Sequence, residues 1–279
     1  VFVAVAVLQL IEHGRLSLQD TIGKILPIDW HGIDREITVE QLLTHTSGIP
    51  DYFDESVLKE YEELWQDFPN YRVRTNADLL PLFINKPMMY PRGTRFQYNN
   101  TGFVVLAMMI EAVTGQPFDA CLKANVFDRC GMDSTGYYEL DCLPAKCANS
   151  YIFDGEKYRF RTNIYSVDAK GTGAGGAFTT VGDIKKFWDA LLSYKLLKNE
   201  TAAQMLSRRS GNEEDGFYGY GIWLKPNGLH NCAPFFQGSD PGVSFMSIYE
   251  PGEDTTITLV SNYGDNVWKL LRELRPFIA

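Results

Sequence analysis

The hydrophobic pattern is helical from the first residue and becomes strand-like after about residue 150. In "VFVAVAVLQLIEHG", Phe2, Ala6, Leu10 and His13 fall on successive turns, and residues 1–11 leave almost no polar face, which predicts a buried helix. Gly14 supplies the left-handed residue that ends it, and "LSLQD" reads as a turn. No Ser, Thr, Asp or Asn cap and no Met precedes Val1, so the pattern is expected to begin inside an element of a longer parent chain. "TVEQLLTHTSGIP" predicts a short helix capped by Thr38 and closed by Gly48 and Pro50. "DESVLKEYEELWQDF" predicts an acidic surface helix, and "NADLLPLFINK" a short helix interrupted by Pro81. "NNTGFVVLAMMIEAVTGQPF" predicts a second buried helix, from near Asn100 to Gly115.

In the second half, "SYIFDGEKYRFR" places two aromatic runs about Asp154-Gly155, a hairpin signal. "FYGYGIWLKPNG", "VSFMSIYEP" and "TTITLVSN" read as strands of an antiparallel meander. "TTVGDIKKFWDALLSYKLL" is an amphipathic helix between them, and "NVWKLLRELRPFIA" is a last one. Helices followed by hairpins predict an α+β architecture, with a mostly helical part over 1–150 and an antiparallel sheet with a terminal helix over 151–279.

Composition narrows the partners. The 45% hydrophobic content is that of a globular chain, and the net charge of -9 without a basic run argues against nucleic acid or an anionic membrane surface. No apolar run reaches the ~18 residues of a spanning helix. Cys121, Cys130, Cys142, Cys147 and Cys232 form no C-x-x-C and have no His at ligand spacing, so they read as idle or buried thiols rather than a zinc site. Their odd number leans toward a reducing, cytoplasmic compartment without fixing it. A small-molecule or peptide substrate is the expected partner, no cofactor is expected, and the oligomeric state is not legible.

The residues with chemistry in them are Tyr98 and Asn100, in "RFQYNNTGF", just ahead of the buried helix. A phenol relays a proton when cations lower its pKa, and an amide holds a carbonyl. On its own such a pair is usually a turn and a cap.

Its surroundings change that. "VFVAVAVLQLIEHGRLSLQDTI", "ITVEQLLTHTSGIP", "YPRGTRFQYNNTGFVVLAMMIEAVTGQPF", "GAGGAFTTVGDIKKFWDALL", "YGYGIWL" and "QGSDPGVSFMSIYEP" with "ITLVSN" resemble, in order and spacing, the serine β-lactamase and penicillin-binding-protein superfamily, class C-like branch. In that family S-x-x-K stands at the start of a buried helix. The resemblance places its Lys immediately before Val1 and the nucleophilic Ser three residues earlier, both outside this sequence. It gives Tyr98 and Asn100 catalytic roles, and places the glycines of "GTGAGG", which satisfy G-x-G-x-x-G, in the loop entering the helix near Asp183.

On the last-but-one core strand the family has Lys or His, then Thr or Ser, then Gly; here Phe236, Gln237 and Gly238 stand there. The cation is lost, and with it a partner for a substrate carboxylate and one influence that depresses the phenol. Gln237 is expected either to bind a neutral acyl group or to face water, and the Ser239 N–H to serve an oxyanion hole. Ser56-Val57-Leu58-Lys59, the internal S-x-x-K, lies in an acidic stretch without an apolar run behind it, and no G-x-S-x-G occurs. His45 is expected to be a hydrogen-bonded scaffold residue, and His13, His31 and His230 receive no role. The resemblance thus implies a serine hydrolase forming an acyl-enzyme with an ester, amide or β-lactam, β-lactams being the poorer substrates; the alternative is a non-catalytic binding or regulatory protein of the same fold.

Overall fold

A computed structural model describes residues 1–227, 231–264 and 267–278; His230 lies outside the described residues. Helix α1 (Phe2–Glu12) is buried from Phe2 to Leu10, as its all-round apolar sequence requires, and Gly14 follows it at φ +65°. Gln9, the polar side chain in that stretch, donates to the carbonyls of Asn125 and Leu196. After α2 (Ile22–Ile25), helix α3 (Val39–Leu43) opens with a reciprocal capping box between Thr38 and Gln41.

The acidic stretch 54–68 is not the predicted surface helix. Only Tyr61–Trp65 is helical, as a 3-10 turn. Asp54 accepts from the Ser56 amide and hydroxyl, and Glu63 accepts from the amides of Lys59 and Glu60. These local side-chain bonds take donors a helix would need. Asn76–Leu82 is likewise a 3-10 segment containing Pro81. Helix α4 (Asn100–Thr114) runs as predicted to a left-handed Gly115, and is followed by α5 (Phe118–Leu122), a wider turn over Lys123–Phe127, and α6 (Asp128–Cys130).

Strands β1 (Tyr151–Asp154) and β2 (Arg159–Thr162) form the aromatic hairpin with Phe153 opposite Phe160, its loop being the four residues 155–158 rather than a two-residue turn. Helix α7 (Val181–Leu192) is capped by Thr180, and α8 (Asn199–Met205) follows it. The sheet is a six-stranded antiparallel meander in chain order: β3 (Ser210–Asn212), β4 (Gly216–Tyr218), β5 (Trp223–Asn227), β6 (Asn231–Asp240), β7 (Val243–Glu250) and β8 (Thr255–Ser261). The strand carrying Phe236 and Gln237 is therefore β6, with two strands after it rather than one.

One face of the sheet meets α1 and α7. The Phe236 ring lies 5.5 Å from Trp188 and 6.5 Å from Phe2, while Trp188 Nε1 donates to Ser247 Oγ at 2.8 Å. On the other face α9 (Val267–Ile278) packs Val267 and Leu271 on Met246. The α+β fold inferred from the pattern is the fold observed, and α1 is at its centre. No single helix among the described residues is long and apolar enough to cross a membrane.

Candidate active site

At the N-terminal end of α1 a cavity of about 100 Å³ is lined by Val1, Tyr98, Asn100, Gly221, Phe236 and Gln237 among others. Three of the five residues singled out from the sequence thus meet at one place. Gly238 and Ser239 do not line it; both are exposed and pair with Phe245 and Ser244 of β7.

The loop before α4 is fixed from below. Asn99, not Asn100, is the helix cap: its Oδ1 accepts from the Gly102 amide and its Nδ2 donates to Ile49 O. Asn100 is the first residue of the helix. Asp51 is the group the sequence reading missed. Its buried carboxylate accepts from the amides of Asn100, Thr101 and Phe53 and from the Thr101 hydroxyl, covering donors that the helix start leaves open. Burial pushes its pKa up to about 6 against those hydrogen bonds. Nothing local in the sequence marks its role at α4, because its partners there stand about fifty positions away.

Tyr98 is 44% exposed, yet one face of its ring is stacked on Trp223 at 5.7 Å and another contact is the His45 ring at 4.4 Å. Crowding of the phenol, with negative charge from Asp51, Glu55 and Asp240, pushes it up to about 12. No Lys or Arg among the described residues lines the cavity. A phenol in that setting donates hydrogen bonds and needs a cation beside it before it can act as a base. A second acidic group stands nearby: Asp168, raised to about 7 by burial and by Asp240, accepts from the Tyr61 hydroxyl, which in turn meets Tyr52.

Phe236 turns its ring into the core between α1 and α7, where a cation would be unpaired. The ladder from β6 to β5 stops at Phe235, so beyond it β6 is paired only with β7. Gln237 is exposed and its Oε1 accepts from Trp268 Nε1 at 2.7 Å. Its side-chain oxygen is thus tied toward α9, and neither simple expectation for it, acyl binding or water, describes it fully.

Ser56 donates to Asp54 in an exposed turn and does not line the cavity. The "GTGAGG" loop brings Gly173 against α4, where a Cβ would lie 2.2 Å from Phe103 O. Gly221 is as constrained: at φ +71°, its added Cβ would stand 2.3 Å from the Cβ of Ala4. Gly221→Ala is accordingly expected to cost about 2–4 kcal/mol, from left-handed strain plus overpacking against α1. Denaturant titration measures it; an unchanged midpoint would show that α1 yields freely.

The beta-lactamase family model matches residues 1–273. A penicillin-binding protein of Bacillus subtilis is 26% identical over 275 residues, covering 94% of this chain and 58% of the relative. A teichoic acid D-alanine hydrolase of Staphylococcus aureus is 25% identical over 220 residues, 78% of this chain and 50% of the relative. The chain therefore spans little more than half the length of the curated relatives it matches. The crystal structure of a penicillin-binding protein from Bacillus halodurans superposes with a TM-score of 0.94 at 37% identity, over 99% of this chain and 83% of that one. With the meander, the buried α1 and the Tyr98-x-Asn100 loop arranged as they are, the chain belongs to the beta-lactamase family.

Proposed function

We propose that the complete protein is a serine hydrolase acting on an ester or amide through an acyl-enzyme, with a Ser-x-x-Lys leading directly into Val1. The observation that carries this reading is the meeting of Val1, Tyr98, Asn100 and Gln237 around one cavity. A Lys ammonium at that helix end would supply the cation that lowers a phenol otherwise held near 12. Serine Oγ bonds to the substrate carbonyl carbon while the Tyr98 phenolate, held ionised by the Lys ammonium, takes its proton. The bond to the leaving group then breaks, and that proton goes to the departing oxygen or nitrogen. Water repeats the attack on the acyl-enzyme and releases the acid. Asn100 orients the acyl carbonyl, the run Gln237–Ser239 forms the rim along which the acyl group lies, and the Ser239 N–H joins that of the nucleophile in the oxyanion hole.

The acyl group we assign carries a free ammonium, as a D-alanyl ester does. Support comes from the carboxylates of Asp51, Glu55 and Asp240 bearing on Tyr98 and from the relative named for D-alanine hydrolysis. Phe236 leaves a β-lactam carboxylate without a partner. In assays of the complete protein, N-acetylation of a D-alanyl ester is expected to lower kcat/KM about tenfold, equivalent to ~1.4 kcal/mol, and a chromogenic cephalosporin is expected to be turned over poorly. Efficient cephalosporin hydrolysis would overturn the substrate assignment. Absence of any adduct with a serine-directed phosphonate would favour a non-catalytic binding protein, the reading to which the loss of the family cation at Phe236 also lends weight.

A further inference from the structure

We infer that His45 is the positioning residue of this site, holding Tyr98 from both sides and from beneath. The inference rests on Tyr98 being the working phenol. The His45 carbonyl accepts the Gln97 amide at 2.9 Å, and its Nδ1 accepts the Asn99 amide at 3.1 Å. Tyr98 is the residue between those two donors. The imidazole itself lies 4.4 Å from the Tyr98 ring and 4.6 Å from the ring of Tyr218 on β4. His45 adopts φ +54°, a left-handed conformation uncommon for a side chain with a Cβ, and it is 1% exposed. That conformation is held by the contacts around it, the Gln97 and Asn99 amides and the packed rings.

The hydrogen bonding also sets the tautomer. Because Nδ1 accepts, the neutral ring carries its proton on Nε2. That Nε2 has no hydrogen-bond partner among the described residues, and its surroundings are the aromatic rings of Tyr98, Phe96, Phe103 and Tyr218. A scaffold histidine chosen for packing alone would be replaceable by Phe, which leaves no polar atom buried. His45 keeps a buried, unpaired N–H in exchange for the one acceptor that pins the Asn99 amide. Its two functions, acceptor and ring, are separable by substitution. His45→Phe keeps the ring and loses the acceptor; His45→Asn keeps an acceptor close to the Nδ1 position and loses the ring.

The test is a double-mutant cycle in the complete protein, read with an ester substrate. His45→Phe is expected to lower kcat at least tenfold with little change in KM, and His45→Asn to recover part of that loss. In a Tyr98→Phe background His45→Phe is expected to cost nothing further, because its effect passes through the phenol. Equal losses with and without the Tyr98 hydroxyl would overturn the inference, as would a pure KM effect. A readout independent of turnover accompanies it: the 13Cζ resonance of Tyr98, which is expected to shift and broaden in His45→Phe and to sharpen again in His45→Asn. An unmoved resonance counts against positioning even if activity falls. A moved resonance in a protein that hydrolyses no ester supports the positioning and places the failure in the hydrolase reading.

Discussion

Tyr98→Phe is expected to lower kcat of the complete enzyme by about 10²–10⁴-fold, the range for loss of a group that moves a proton in the transition state. KM should stay within about threefold, because the ring that meets the substrate side is kept. The structure isolates the hydroxyl well: the stack on Trp223 and the contact with His45 are ring contacts that phenylalanine reproduces. Folding stability should therefore change by no more than about 0.5 kcal/mol. Steady-state kinetics with an ester, alongside a thermal melt, checks both halves. A variant with wild-type kcat would remove Tyr98 from the chemistry and leave it as an aromatic wall of the cavity.

Asp51→Ala is expected to have the largest effect on stability, about 3–4 kcal/mol, since it strands at once the Asn100 and Thr101 donors at the start of α4 and the Phe53 amide. For a chain of 279 residues that is roughly 5–7 °C in Tm. Asp51→Asn isolates the charge. The folded pKa near 6 lies above the ordinary 3.8, so the fold favours the protonated form. The stability this confers is fully present below about pH 3.8 and is lost as pH rises through 6. Asp168, raised to about 7, extends the same loss toward neutrality. His45 runs the other way: lowered by burial from 6.5 to about 3, it contributes above pH 6.5 and its contribution is lost as pH falls through 3. Urea midpoints across this range should be less pH-dependent between about pH 4 and 6 in Asp51→Asn than in the wild type. An identical slope would mean that Asp51 does not titrate there.

What could be read in the sequence was whatever is encoded by neighbours along the chain. The buried character of α1 and α4 follows from apolar residues on every side, and their ends from Gly14 and Gly115. The strands β4, β5, β7 and β8 announce themselves by aromatic and β-branched runs. β6 does not, because Pro234 and Gly238 interrupt its pattern, and what makes it a strand is pairing with β5 up to Phe235 and with β7 from Phe235 on. The acidic stretch failed for a related reason: its composition favours a helix, but Asp54 and Glu63 satisfy the backbone locally and Trp65 Nε1 donates to Ser166 O across the fold. Within the site, Tyr98 and Asn100 were legible through a resemblance in motif order. Asp51 and Trp223 were not, since each matters only through a partner far away in the chain. His45 was recognised as a scaffold, but what it supports became visible only when Gln97 and Asn99 were seen on either side of Tyr98.

The meander also fixes an order of events in folding. Each strand of the six-stranded sheet is hydrogen-bonded to its neighbour in the chain, so the sheet closes by short loops, which are entropically cheap to form. The cavity has no such local route: residues 1, 98 and 237 must converge from three remote parts of the sequence. Strand structure should then return early in refolding and catalytic competence late, which makes the lag between circular dichroism and recovered turnover a direct clock for docking of α1 and the Tyr98 loop onto the sheet.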